Sequence, residues 1–298
     1  MFVFWEALIV AFAEDKVCPD NIEKCTCYEP TGYMECNNLD TEWAKKFKPN
    51  ANYKLDTLVI KKSPKLPLIL EHFKKDTSLF AKTVIYTLNA TEGDLDTAPG
   101  NFNALVKIAQ EALEITYNGD KDLNIDAQFL SSKLTSLSLS HVKVNNLDKL
   151  KEKEMEVLHN LKLNKITTDG NVKEVIIKLP KLTRIEITNC DELKGSFQFI
   201  PGEKCKSNQQ IELILQNNKG LTDFDMTKMF DDKNCKYYID LSGSTLKKSF
   251  LTDKKFPINK IINAGQLYII LRDVELDCNR CTYNWYKAMP QYIHSVLC

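Results

Sequence analysis

Ten cysteines are the residues best suited to covalent or metal chemistry, and they are unevenly placed. Cys18, Cys25, Cys27 and Cys36 crowd the start, reading C-x6-C-x-C-x8-C, and Cys278, Cys281 and Cys298 crowd the end. An even number suits oxidised pairs, and four cysteines alone allow three connectivities. The last group, Cys278-x2-Cys281-x12-His294-x3-Cys298, also has the ligand spacing of a four-coordinate zinc site. Trp285 follows Cys281 by four residues. Gln291 stands where such a finger needs an apolar residue, and no basic helix follows to meet a nucleic acid. Disulfides are therefore the preferred chemistry, with no metal site.

Other reactive constellations are lacking. The four histidines, His72, His141, His159 and His294, form no H-E-x-x-H pair. No G-x-S-x-G, Walker or dinucleotide fingerprint occurs, and ten glycines supply no phosphate loop. Asp231-Asp232 and Asp20 with Glu23 read as solvated surface. No catalytic residue and no cofactor are assigned. Lys+Arg and Asp+Glu are 40 each. That balance argues against nucleic acid, which needs surplus cation, and gives no pull toward an anionic membrane. Asn89-Ala90-Thr91 is an N-glycosylation sequon.

The opening MFVFWEALIVAFA is apolar except for Glu6, and Ala11-Phe12-Ala13 is an A-x-A cleavage pattern. Residues 1–13 therefore read as a secretory signal peptide. Export would place the cysteines where thiols oxidise. No later run of about 18 apolar residues follows, so no membrane insertion is expected.

The elements that position these groups recur. Pairs of apolar residues, one residue apart, begin at Leu58, Val84, Leu113, Leu137, Leu161, Ile185, Leu213, Ile239 and Ile269. Three consecutive steps are 24 residues. Leu55, Leu134, Leu158 and Leu182 add an apolar residue three positions earlier. Three positions after the second member of each pair comes a site expected to point inward: Ser63, Asn89, Asn118, Val142, Ile166, Cys190, Asn218, Ser244 and Val274. Asn there should bond turn backbone. Val142 and Ile166 lack that capacity, so irregular turns are expected after them. Phe102, Leu105, Ile108, Ala109 and Ala112 lie at helical spacing, as do Leu147, Leu150 and Met155 more loosely.

The pattern resembles the leucine-rich repeat L-x-x-L-x-L-x-x-N/C-x-L, with Leu182-x-x-Ile185-x-Ile187-x-x-Cys190 the closest match. The implied fold is an α/β leucine-rich-repeat solenoid, a curved parallel sheet with helices or loops on its convex side. Residues 14–54 would form an N-terminal cysteine cap, 55–277 about nine repeats, and 278–298 a short C-terminal cap. The capped arrangement is similar to secreted arthropod leucine-rich-repeat proteins, a family that includes non-catalytic subunits of secreted luciferin monooxygenases. That resemblance implies pairing Cys18–Cys27 and Cys25–Cys36. It also implies an extracellular protein partner and no catalytic residue. Cys205 and Cys235 fall between adjacent strands and are placed to cross-link neighbouring repeats.

Residues alternating with the inward pair face away from the core and would meet a partner on the concave side. In the central repeats these are Thr116, Ser138, Ser140, Lys162, Asn164, Arg184, Glu186 and Thr188. Farther on, Ile214, Tyr238, Asp240, Tyr268 and Ile270 make the face more apolar, which suits a protein partner better than a solvated face.

Overall fold

A computed structural model describes residues 14–46, 51–66, 78–89, 108–118, 123–126, 133–147, 157–168, 174–201, 205, 209–225, 235–245 and 267–274, apart from positions 17, 20–21, 41, 64–65, 180, 182 and 193–194. The expected signal peptide (1–13) and C-terminal cap (with Cys278, Cys281 and Cys298) lie outside them, as do Phe102, Leu105, Leu150, Met155 and Leu182.

The chain begins with β1 (Glu14–Lys16), β2 (Cys25–Tyr28) and β3 (Tyr33–Asn37). Three long strands follow: β4 (Ala51–Lys61), β5 (Ser78–Asn89) and β6 (Ala109–Asn118). Shorter strands continue as β7 (Asn124–Asp126), β8 (Ser136–Ser140), β9 (Lys143–Asn145), β10 (Asn160–Asn164), β11 (Thr167–Thr168) and β12 (Glu174–Leu179). The rest are β13 (Arg184–Thr188), β14 (Gly195–Pro201), β15 (Gln209–Ile214), β16 (Leu221–Asp225), β17 (Cys235–Asp240) and β18 (Leu267–Ile270).

Twelve strands form one sheet in the order β18-β17-β15-β13-β10-β8-β6-β5-β4-β3-β2, with β1 beside β4. Every pairing in it is parallel except β2 with β3. Strands between its members build two further parallel sheets, β7-β9-β11 and β12-β14-β16. Successive coils thus stack as a parallel β-solenoid.

The register follows the apolar pairs. Leu58, Val84, Leu113, Leu137, Leu161, Ile185, Leu213, Ile239 and Ile269 are direct partners on consecutive strands. Met34 extends the row to β3. All ten are fully or almost fully buried. A one-residue slip would turn a whole strand's Leu set to water, so burial fixes the register.

The two segments read as helical are described only in part, and in the first a single helical residue, Ile108, is followed by strand. Ala109 and Ala112 belong to β6, because their backbone pairs with Ala81 and Thr83 of β5 across a bulge. Ladder bonds and a small interior side chain at Ala109 outweigh the local 3.6-residue spacing. Leu147 is buried beside β9. The described helical elements are two 3-10 turns, Glu29–Thr31 and Trp43–Lys46.

The corner after seven of the nine inward pairs has a common construction. Lys62, His141, Lys165, Asn189, Asn217, Gly243 and Asp273 all have positive φ, four residues after the first member of the pair. In all but the last, the residue's N–H donates to a carbonyl of the next coil, as from His141 to Asn164 (2.9 Å) and from Lys165 to Thr188 (3.0 Å). The turns after β8 and β10 are therefore as regular as the others, contrary to expectation. Coil-to-coil backbone bonds satisfy them, so apolar Val142 and Ile166 are tolerated inside.

The inward site behaves as expected where it is polar. Asn218 is fully buried; its Oδ1 accepts from the Cys190 N–H (2.9 Å) and its Nδ2 donates to the Ile187 carbonyl (2.7 Å). Ser244 Oγ accepts from the Asn218 N–H and donates to the Leu215 carbonyl. Asn118 departs from expectation and is exposed. There β6 runs straight through the corner, burying Tyr117 instead. Asn89, the sequon residue, ends β5 as the backbone partner of Asn118.

At the N-terminal end, Cys18–Cys27 and Cys25–Cys36 are disulfide-bonded, the pairing the resemblance implied. Trp43 is buried there, its indole N–H donating to Cys25 Sγ (3.2 Å). The expected boundary after residue 54 falls inside β4, whose first residues pair with β1. A third disulfide, Cys205–Cys235, ties the start of β17 to the segment before β15. Cys190 is a buried free thiol.

Candidate functional site

Alternation along each strand of the large sheet sends every second side chain outward. β8, Ser-Leu-Ser-Leu-Ser, shows it plainly, with both leucines buried and the serines partly exposed. Stacking then aligns three outward rows. One runs Glu114, Ser138, Lys162, Glu186, Ile214, Asp240, Ile270. The row before it runs Ala112, Ser136, Asn160, Arg184, Glu212, Tyr238, Tyr268, and the row after it begins Thr116, Ser140, Asn164, Thr188.

Over β6, β8, β10 and β13 these rows line a shallow groove of about 650 Å³. Thr116, Ser138, Ser140, Lys162, Asn164, Arg184 and Glu186 all border it. So do Glu114, Ser136 and Asn160, which reading the sequence missed. Extending the period-2 alternation one step before each apolar pair finds Ser136, Asn160 and Glu212.

An ion network closes the β13 side. Lys162 Nζ lies 2.9 Å from Glu186 Oε1, and Arg184 Nη2 lies 3.3 Å from Glu186 Oε2. Arg184 also pairs with Glu212, which accepts from the Gln210 amide (3.1 Å). Partial burial pushes the Glu186 carboxyl up, but the bonds from Lys162 and Arg184 outweigh it and hold the group below the usual range.

A neutral network runs along the corner. Asn164 Nδ2 donates to Ser140 Oγ (3.0 Å), and Asn164 Oδ1 accepts from Thr188 Oγ1 (3.1 Å) and Asn189 Nδ2 (2.9 Å). Ser140 Oγ also meets His141 Nδ1 at 3.0 Å. Burial and the Lys165 charge depress the His141 pKa. A Ser–His contact is the first half of a nucleophile–base pair, but a carboxylate must orient the imidazole. Here the charged neighbour is a lysine, and Ser140 Oγ is already engaged by Asn164.

Two expected contact residues are buried instead. Thr188 is 9% exposed and Asp240 6%. Asp240 accepts from Ser242 N–H, Ser242 Oγ and Gln216 Nε2, so its carboxylate braces the corner. Beyond the ion network the face turns aromatic. Tyr238 and Tyr268 stack with ring centroids 5.3 Å apart at 12°, and Tyr268 is 39% exposed. Ile214 and Ile270 lie half-buried in the next row.

Among the described residues no group of three or more His, Cys, Asp or Glu is arranged to hold a metal ion. No described helix is long and apolar enough to cross a membrane. No protein-family model, curated protein or solved structure matches the chain.

Proposed function

We propose that the chain is a secreted binding module of the leucine-rich-repeat type that recognises an extracellular protein through the outward face of its large sheet. In this reading the first 13 residues are a signal peptide, and the module has no catalytic centre of its own. Kinship with the secreted arthropod family would make it a partner or stabilising subunit of another extracellular protein.

The observation that carries the reading is the change in the outward rows along the sheet. Positions filled by Ser, Asn, Lys, Arg and Glu over β8–β13 become Ile214, Tyr238, Tyr268 and Ile270 over β15–β18, beside Glu212 and the buried Asp240. Stacked tyrosines beside an Arg–Glu network are the anchor types that dominate protein interfaces. The three disulfides are compatible with an oxidising compartment. The test is recovery from extracellular fluid on the tagged mature chain, with the double variant Tyr268→Ser, Ile270→Asp alongside. A single stoichiometric partner, held by the unaltered chain and lost by the variant, is expected. Turnover of a substrate by the isolated chain would overturn the reading.

A further inference from the structure

We infer that the groove over β6, β8 and β10 is a second subsite, one that takes a neutral carbohydrate chain. It rests on the outward face being a binding surface but uses a different part of it from the tyrosine anchor.

The inference starts from which polar groups are already engaged. Lys162 and Arg184 are paired with Glu186 and Glu212, two cations to two carboxylates, and Ser140 and Asn164 bond within the corner network. Glu114, Thr116, Ser136, Ser138 and Asn160 are different. Their side chains line the same groove and make no hydrogen bond or ion pair with another described residue. They form one contiguous patch, since Glu114 is the partner of Ser138 and Ser136 of Asn160, while Thr116 follows Glu114 and Ser138 follows Ser136 on the same outward side of their strands.

The chemistry of that patch selects the ligand. An anion finds no unpaired cation there, only the Glu114 carboxylate. An apolar ligand would strip water from three hydroxyls, an amide and a carboxylate without replacing their hydrogen bonds. Augmentation by a peptide strand needs free backbone groups at a sheet edge. The groove lies on the face, where ladder partners on both sides use the backbone. A saccharide offers what the patch lacks: closely spaced hydroxyls that donate to the carboxylate and both donate to and accept from Ser, Thr and Asn. The rows repeat at the strand spacing of about 4.8 Å, so successive sugar units of an extended chain meet polar groups on successive strands, Glu114 then Ser138 in one row and Ser136 then Asn160 in another.

The experiment is calorimetric titration of the full mature chain with cellohexaose, laminarihexaose and chitohexaose, with a sulfated heparin hexasaccharide and a Lys-rich peptide for contrast. Glu114→Ala combined with Ser138→Ala removes the patch's carboxylate and a central hydroxyl, and Lys45→Ala, on the distant Trp43–Lys46 turn, is the control. Thermal unfolding confirms that each variant is folded. At least one neutral hexasaccharide should bind, with affinity reduced tenfold or more in the double variant and unchanged in the control. Binding of the sulfated chain or the peptide alone, binding of none of the neutral chains, or neutral binding that the double variant retains would overturn the assignment. Loss of the protein partner on Tyr268→Ser, Ile270→Asp is a separate readout, so the two readings can fail independently.

Discussion

Replacing Asn218 by Ala should destabilise the solenoid more than its distance from any active surface suggests. The side chain is fully buried and serves two backbone groups of the preceding coil, the Cys190 N–H at 2.9 Å and the Ile187 carbonyl at 2.7 Å. Alanine satisfies neither. A buried polar group left unpaired costs about 1–3 kcal/mol, so two together predict a loss of about 2–6 kcal/mol. Urea denaturation measures the loss, and native-state hydrogen exchange locates it. The Cys190 amide should exchange fastest, because coils contact only their neighbours. Asn218→Asp is informative beside it. It keeps an acceptor for the Cys190 N–H but sets a second acceptor against the Ile187 carbonyl, so it should also destabilise. A change within about 0.5 kcal/mol, with Cys190 exchange unaltered, would show that this amide does not hold the corner.

Leu161 stacks between Leu137 and Ile185 and is 2% exposed, so Leu161→Ala should cost about 2–5 kcal/mol in the same assay. Burial raises the Cys190 thiol to about 11, so it should resist maleimide in the native protein at pH 8 and react after unfolding. Prompt native labelling would contradict that placement. Glu186 has its carboxyl held below the usual range, so its ionised form stabilises the fold. That contribution should be present above the ordinary carboxylate range and fade as pH falls through the lowered folded value. Glu186→Gln should flatten this part of the acid-side stability profile, since glutamine does not titrate.

Much of the fold was legible in the sequence because its strongest constraint is local and repeated. Nine apolar pairs marked nine strands, and burial forced them into one register. At Ala109 and Ala112 the helical spacing gives way to strand, because spacing reports only local periodicity. A parallel partner at β5 decided that segment, and it is 28 residues away, counting from the Ala81–Ala109 pairing. The corner column is legible in the sequence as well. Its Lys, His, Asn, Gly and Asp residues recur at one offset, and most are types that tolerate positive φ. Gly243 is the sharpest instance, since a Cβ there would lie 2.0 Å from Asn217 Oδ1. On the outward face, alternation found seven of the polar groove residues but could not show that Thr188 and Asp240 are covered. Their burial comes from side chains on neighbouring coils, such as Asn164 and Gln216, whose reach a single strand's pattern does not encode.

The outward face as a protein-binding surface is tested most directly by hydroxyl-radical footprinting of the mature chain, free and in complex with the partner recovered from extracellular fluid. Oxidation of Tyr238 and Tyr268 should fall in the complex, while Tyr28, 58% exposed on β2 at the other end of the sheet, should label as before. Unchanged labelling of Tyr268, with protection appearing instead on β9 and β11 of the small sheet, would contradict the proposed face.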